Sequence, residues 1–119
     1  MPLEADVWTV LTAGTPTAAG ARVYRNAAPQ GAAEPRITFA RATNAPVVSL
    51  SGRSGLDQVR LQVDCWAKRA EDAQALAHQV RLLLEAQPFK ALMQNDFSAF
   101  EPDTKLHRWS MDFRCWDRL

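Results

Sequence analysis

The sequence predicts a single α+β domain: an antiparallel sheet of about four strands with helices packed on one face, a two-layer sandwich. Three observations predict it. In "LDQVRLQVDCWAK" and "KLHRWSMDFRCW" apolar and polar residues alternate, as in strands with one dry face. Between them, "RAEDAQALAHQVRLLLEAQP" places Ala73, Leu76, Ala77, Val80, Leu83 and Leu84 on one helical stripe. The order is helix, strand, strand, helix, strand, strand, and one-faced strands bury most simply against one-striped helices.

Leu3, Val7, Val10 and Leu11 recur at helical spacing, which predicts a short helix over about 3–13, with Pro2 in its first turn and Gly14 ending it. "TPTAAGA" is small and broken and is expected to be a loop. Val23 and Tyr24 are packing candidates before the turn residues Pro29 and Gly31. "PRITFARAT" predicts a strand at about 36–43. "NAPVVSLSGRSG", residues 44–55, is rich in Pro, Ser and Gly and is expected to be a long, partly mobile hairpin loop.

In the next strand Val59, Leu61, Val63 and Cys65 share one phase, and Arg60, Gln62, Asp64 and Trp66 the other. The strong helix has acids Glu71 and Asp72 in its first turn and stops at Pro88. "FKALMQNDFSAF" fits either a strand or a helical turn leading into one. "EPDT" is a turn. The last strand sets His107, Trp109, Met111, Phe113 and Cys115 against Arg108, Ser110, Asp112, Arg114 and Trp116. There is no long internal repeat and no linker, so residues 1–119 read as one domain.

A chain of 119 residues buries roughly two thirds of its unfolded surface, enough for one modest core. With 47% hydrophobic and 23% charged residues it reads as a globular chain. A net charge of +1 gives no field that draws nucleic acid or an anionic membrane. No stretch approaches the ~20 apolar residues of a membrane span. "MPLEADVWTV" has no basic region followed by an apolar run, which predicts residence in the cytoplasm, where thiols stay reduced.

Each of the two cysteines is followed by tryptophan, in "VDCW" and "FRCW". Both cysteines fall in the apolar phase and both tryptophans in the polar one. Lone cysteines fifty positions apart lack zinc-site spacing, so they are expected to fill the core as small hydrophobes. A hydrolase drawn from Cys65 or Cys115, His78 or His107, and Asp64 or Asp112 fails on position, because both aspartates have the opposite phase. "SGRSG" lacks the Lys-Ser/Thr of a phosphate loop and precedes a strand, not a helix. No catalytic, metal or cofactor-binding residue is predicted. Trp66 and Trp116 sit among charges on the outer phase, where they form a contact surface unless the first helix or the 44–55 loop covers them.

Three stretches taken together carry a resemblance. "RVYRNAAPQGAAEPRITFA" has an R-V-Y start, an A-P-Q-G turn and a Pro-led strand. "VRLQVDCWAKRAEDAQALAHQVRLLL" has a strand ending in D-x-W-A and then an Ala-rich helix. "FEPDTKLHRWSMDFRCW" has an E-P-x-T turn and a strand ending in D-F-x-x-W. Over about residues 20–117 the chain resembles the tail-completion proteins of long-tailed bacteriophages. These are also described as tail-to-head joining or neck proteins and are distantly similar to tail terminators. The resemblance implies a non-enzymatic α+β subunit of a homo-oligomeric ring, typically a hexamer. Such a ring sits at the head-proximal end of the tail, in the virion neck, and is assembled in the host cytoplasm. Its partners are the tail-tube protein and the head-connector proteins, with no membrane and no small-molecule substrate.

The candidate subunit or tail contacts are Val47, Val48, Leu50 and Arg53 in the 44–55 segment, and Arg60, Trp66, Arg108, Arg114 and Trp116 on the outer face. The alternative reading is a small nucleic-acid-binding module using the same sheet.

Overall fold

The computed structural model describes residues 3–49 and 52–118, and side chains within 3–46 and 55–117. The elements are α1 (Leu3–Thr12), β1 (Val23–Arg25), β2 (Arg36–Ser49), β3 (Gly52–Ala67), α2 (Ala70–Glu85), β4 (Leu92–Glu101) and β5 (Leu106–Arg118). They form one five-stranded sheet in the order β1-β2-β3-β5-β4. The α+β class and single-face helix layer match the expectation. The strand count does not, because the three residues of β1 add a parallel strand against Ile37–Phe39 and make the sheet mixed. Three residues show no alternation, so nothing local marks them as a strand.

β3 is central, antiparallel to both β2 and β5. β5 is antiparallel to β4, so β3 and β4 run parallel and α2 crosses over β5 to connect them. Val59, Leu61, Val63 and Cys65 of β3 and Met111, Phe113 and Cys115 of β5 are buried on one face, with Ile37 and Phe39 of β2. α2 closes this face with Ala73, Leu76, Ala77, Val80 and Leu84, and α1 with Leu3, Val7 and Leu11. Both helices lie on this face, so neither covers Trp66 or Trp116.

The expected loop at 44–55 is instead the end of a hairpin. The β2–β3 ladder runs on to Ser49↔Gly52, while β5 pairs with β3 only from Leu56. The turn-rich composition misleads for a physical reason. The ladder absorbs Pro46 in a register shift between Pro46 and Val48, where β2 is an edge strand that needs no outward N–H. The last hairpin pairs therefore stand clear of the sheet, and the molecule measures 51 × 29 × 24 Å. The ambiguous 89–100 stretch resolves as β4, an edge strand whose side chains are mostly exposed.

At one end of the buried face the apolar phase gives way to charge on three adjacent strands. Arg41 continues Ile37 and Phe39, Asp57 continues Val59 and Leu61, and Asp117 continues Phe113 and Cys115. Arg41 binds both carboxylate oxygens of Glu4 from α1, at 2.7 and 3.1 Å, and Asp117 at 2.6 Å. Arg25 reaches Glu4 at 3.0 Å, and Asn44 donates to Asp57 at 2.8 Å. Glu4 is only 7% exposed. Burial alone raises its carboxyl, but the Arg41 hydrogen bonds and the charges of Arg41 and Arg25 prevail and hold it below the ordinary 4.5.

A carboxyl depressed in the fold stabilises above its unfolded pKa, and that stability is lost as pH falls through the lower folded value. Denaturant midpoints measured from pH 7 down to pH 3 are therefore expected to fall steeply below about 4.5. Glu4→Gln is expected to lower the neutral value and flatten that acid limb. Arg41→Ala strands two buried carboxylates and is expected to cost about 3 kcal/mol in urea unfolding at neutral pH.

Candidate assembly surface

The face opposite the helices is bare. Strand alternation alone brings its residues together: Arg36 on β2 stands opposite Trp66 on β3, and Trp66 opposite Arg108 on β5. The Arg36 and Arg108 guanidiniums each lie 5.5 Å from the Trp66 ring centroid, and Arg108 lies 5.8 Å from that of Phe97 on β4. Four strands are thus crossed by one cation–π ladder, each contact worth about 0.5–1 kcal/mol at such exposure. Trp66 Nε1 donates to Thr38 Oγ1 at 3.0 Å, which fixes the indole in the ladder.

Further along, Arg60 stands directly opposite Arg114. This like-charge pair is eased by Asp112, which accepts from Arg60 at 3.0 Å. A depression of about 530 Å³ here is lined by Thr43, Gln58, Arg60, Asn95, Asp112 and Arg114 among others. Nε of Arg36, Arg108 and Arg114 is shielded from solvent without a hydrogen-bond partner. Shielded donors of this kind gain most from an acceptor brought by a docking partner.

Of the sequence candidates, Arg60, Trp66, Arg108, Arg114 and Trp116 share this face, and each tryptophan is partly buried within it. Arg60 with Arg114, and Trp66 with Arg108, are direct cross-strand neighbours. Trp116 is opposite Gln58, eight positions along β3 from Trp66, so roughly 27 Å separates the two indoles' backbones. The Cys-Trp pairs are therefore two ends of a surface, not one site. Val47 and Val48 lie in β2 and Arg53 in β3, with Val48 paired to Arg53, in the hairpin whose side chains are not described. Leu50 lies outside the described residues. Arg36, Phe97 and Leu92 were not candidates from the sequence. Arg36 does carry the signal, as a charge in the polar phase of "RITFA". Phe97 and Leu92 fall in the stretch whose periodicity was ambiguous.

Cys65 and Cys115 are fully buried and unbonded. Burial, with a smaller contribution from the Asp64 charge, pushes the Cys65 thiol far above the ordinary thiol range. Burial pushes Cys115 up to about 12, slightly opposed by Arg41. Neither is a nucleophile near neutral pH. His78 is exposed on α2, and His107 packs against Phe100 with ring centroids 5.0 Å apart. Among the described residues, no group of three or more His, Cys, Asp or Glu is placed to hold a metal ion, and no helix is long and apolar enough to cross a membrane. Asp64 and Asp112 share the open face with its arginines, an arrangement suited to mixed-charge protein contacts rather than to a run of phosphates.

Residues 8–117 match the profile of the family described as tail completion protein gp17. Comparison with curated proteins yields no significant match. Among solved structures, a chain in the virion of a native gene transfer agent (GTA) particle is similar, with a TM-score of 0.77 over 98% of this chain and 95% of that one at 19% identity. At that identity the likeness is one of fold.

Native protein treated with an excess of iodoacetamide at pH 8 is expected to keep both thiols for hours. After unfolding in guanidinium both are expected to react within minutes, as intact mass would register. Fast labelling of either thiol in the native protein contradicts its core role.

Proposed function

The chain belongs to the tail completion protein gp17 family of virion structural proteins, and from that membership we propose that it completes a phage-type tail at its head-proximal end and joins it to the head connector. The observation that carries this reading is the extent of the match, residues 8–117, which takes in all of the sheet but the last residue of β5. In this reading the subunits form a ring, six-fold in the assembled particle, between the tail-tube protein and the connector. The role is mechanical and has no catalytic step. Assembly takes place in the host cytoplasm.

The geometry supports the reading in two ways. A joining subunit needs surfaces that its own fold leaves unused. Here one whole sheet face and the end of the β2–β3 hairpin are unused, while the core is complete without them. The open face also has the composition of a contact surface, with arginines and aromatics interleaved across four strands. Contacts to the tail or to neighbouring subunits are assigned in this proposal to Arg60, Trp66, Arg108, Arg114 and Trp116. Val47, Val48, Leu50 and Arg53 of the 44–55 segment are assigned with them.

Deleting the gene and imaging the particles by electron microscopy is expected to give filled heads lying apart from tails. Intact, infectious or transducing particles would end the reading. Trp66→Ala and Arg114→Glu chains are expected to fold, as judged by unaltered far-UV circular dichroism, and to yield about tenfold fewer joined particles on complementation. Normal joining by both variants removes the open face from the interface.

A further inference from the structure

The depression on the open face draws its lining from four strands: Thr43 from β2, Gln58 and Arg60 from β3, Asp112 and Arg114 from β5, and Asn95 from β4. Its charged lining is Arg60, Asp112 and Arg114. Arg60 and Asp112 satisfy one another at 3.0 Å. One positive charge is left over, on Arg114.

The cross-strand neighbours of Arg114 are Arg60 on β3 and Leu92 on β4, so neither side brings it a carboxylate. Among the described residues Arg114 takes part in no hydrogen bond, ion pair or ring contact, and its Nε is shielded from solvent without a partner. The other arginines of the face are better served. Arg36 donates to the Ala32 carbonyl at 2.9 Å and has Glu34 at 3.8 Å. Arg108 rests by the rings of Trp66 and Phe97. A shielded guanidinium directly opposite a like charge is unfavourable in the free chain. An anion brought to it gains the missing hydrogen bonds and relieves that repulsion.

We propose that this depression is a seat for one carboxylate side chain, an Asp or Glu that a neighbouring protein of the particle inserts against Arg114. The inference deepens the assembly reading and takes its occupant from it. Charge and shape select the ligand. The planar guanidinium fork matches a carboxylate through two parallel hydrogen bonds. Thr43, Gln58 and Asn95 also line the site, and their uncharged groups donate to such an oxygen without repelling it. One ligand charge balances the one charge left over. A polynucleotide fits less well, because its further phosphates run against Asp112 and against Asp64 on the same face.

The test complements particles with Arg114→Lys, Arg114→Gln and Arg114→Glu chains, each first checked for an unchanged thermal midpoint. Lysine keeps the charge and loses the fork. Yields of joined particles are therefore expected to fall in the order wild type, Arg114→Lys, Arg114→Gln, Arg114→Glu, the last about tenfold below wild type. Revertants of Arg114→Glu selected for joining are expected to replace an Asp or Glu of another particle protein by a neutral or basic residue. Equal defects in Arg114→Gln and Arg114→Glu would overturn the proposal, because the contact would then not read charge. Purified chain that binds a single-stranded oligonucleotide, and loses that binding in Arg114→Gln, would overturn it in favour of a phosphate site. Normal joining by all three variants would overturn the seat and leave the joining role standing, since that role falls only if particles lacking the gene are intact.

Discussion

Both helices pack on the same face of the sheet, and that constraint decides what the other face is for. The buried face takes the apolar phase of β2, β3 and β5 and is sealed by α1 and α2. Once those stripes are buried, the chain has no third layer to offer. The opposite phase must therefore hold residues that tolerate water, and in the proposed role they would also profit from a partner. Arginine and tryptophan meet both demands: each has a broad weakly hydrated surface and a polar group. The cation–π ladder from Arg36 to Phe97 is what such residues do while unpartnered.

The buried charge cluster answers a different need. α1 is short and strongly apolar, and a helix of ten residues has little stability of its own. Its apolar contacts place it on the sheet but specify its angle poorly. The Glu4–Arg41–Asp117 bridge adds direction, because a carboxylate that engages one guanidinium through both oxygens accepts few orientations. The same cluster sits where β2 and β3 leave the sheet to form the free hairpin, with Asn44 donating to Asp57 at that point. Charge thus replaces hydrophobic packing where the core runs out of helix to bury against.

What could be read in the sequence follows from how far each signal extends. β3, α2 and β5 have long, clean periods and appear where the periods place them. The outer-phase residues Arg60, Trp66, Arg108, Arg114 and Trp116 were legible for the same reason, because phase is a local property. Register is not local. That Arg108 lies by both Trp66 and Phe97, or that Trp66 and Trp116 stand at opposite ends of the face, depends on strand alignment that no single segment states. The hairpin was hidden by Pro46, Ser49 and Gly52, whose turn preference yields to a ladder extended from the regular part of β2 and β3. The charge cluster was half legible. Arg41, Asp57 and Asp117 visibly break the apolar phase, but the meeting of Arg41 with Glu4 joins residues more than thirty positions apart.

A subunit that folds before it assembles faces conflicting demands, and this architecture separates them in space. The apolar core forms on the helix-covered face, and in the proposed role the open face is left for partners. That face is nevertheless ordered in advance. Trp66 is tethered through its indole N–H, and Arg108 rests by two rings, so much of the rotamer freedom of a long side chain is lost before docking. The hairpin is laddered almost to its tip and does not have to fold on contact. In the proposed role, less ordering entropy would then be lost at association. In the proposed role, the mixed signs on the open face, with Asp64 and Asp112 among the arginines, would penalise partners whose charges are not matched position by position.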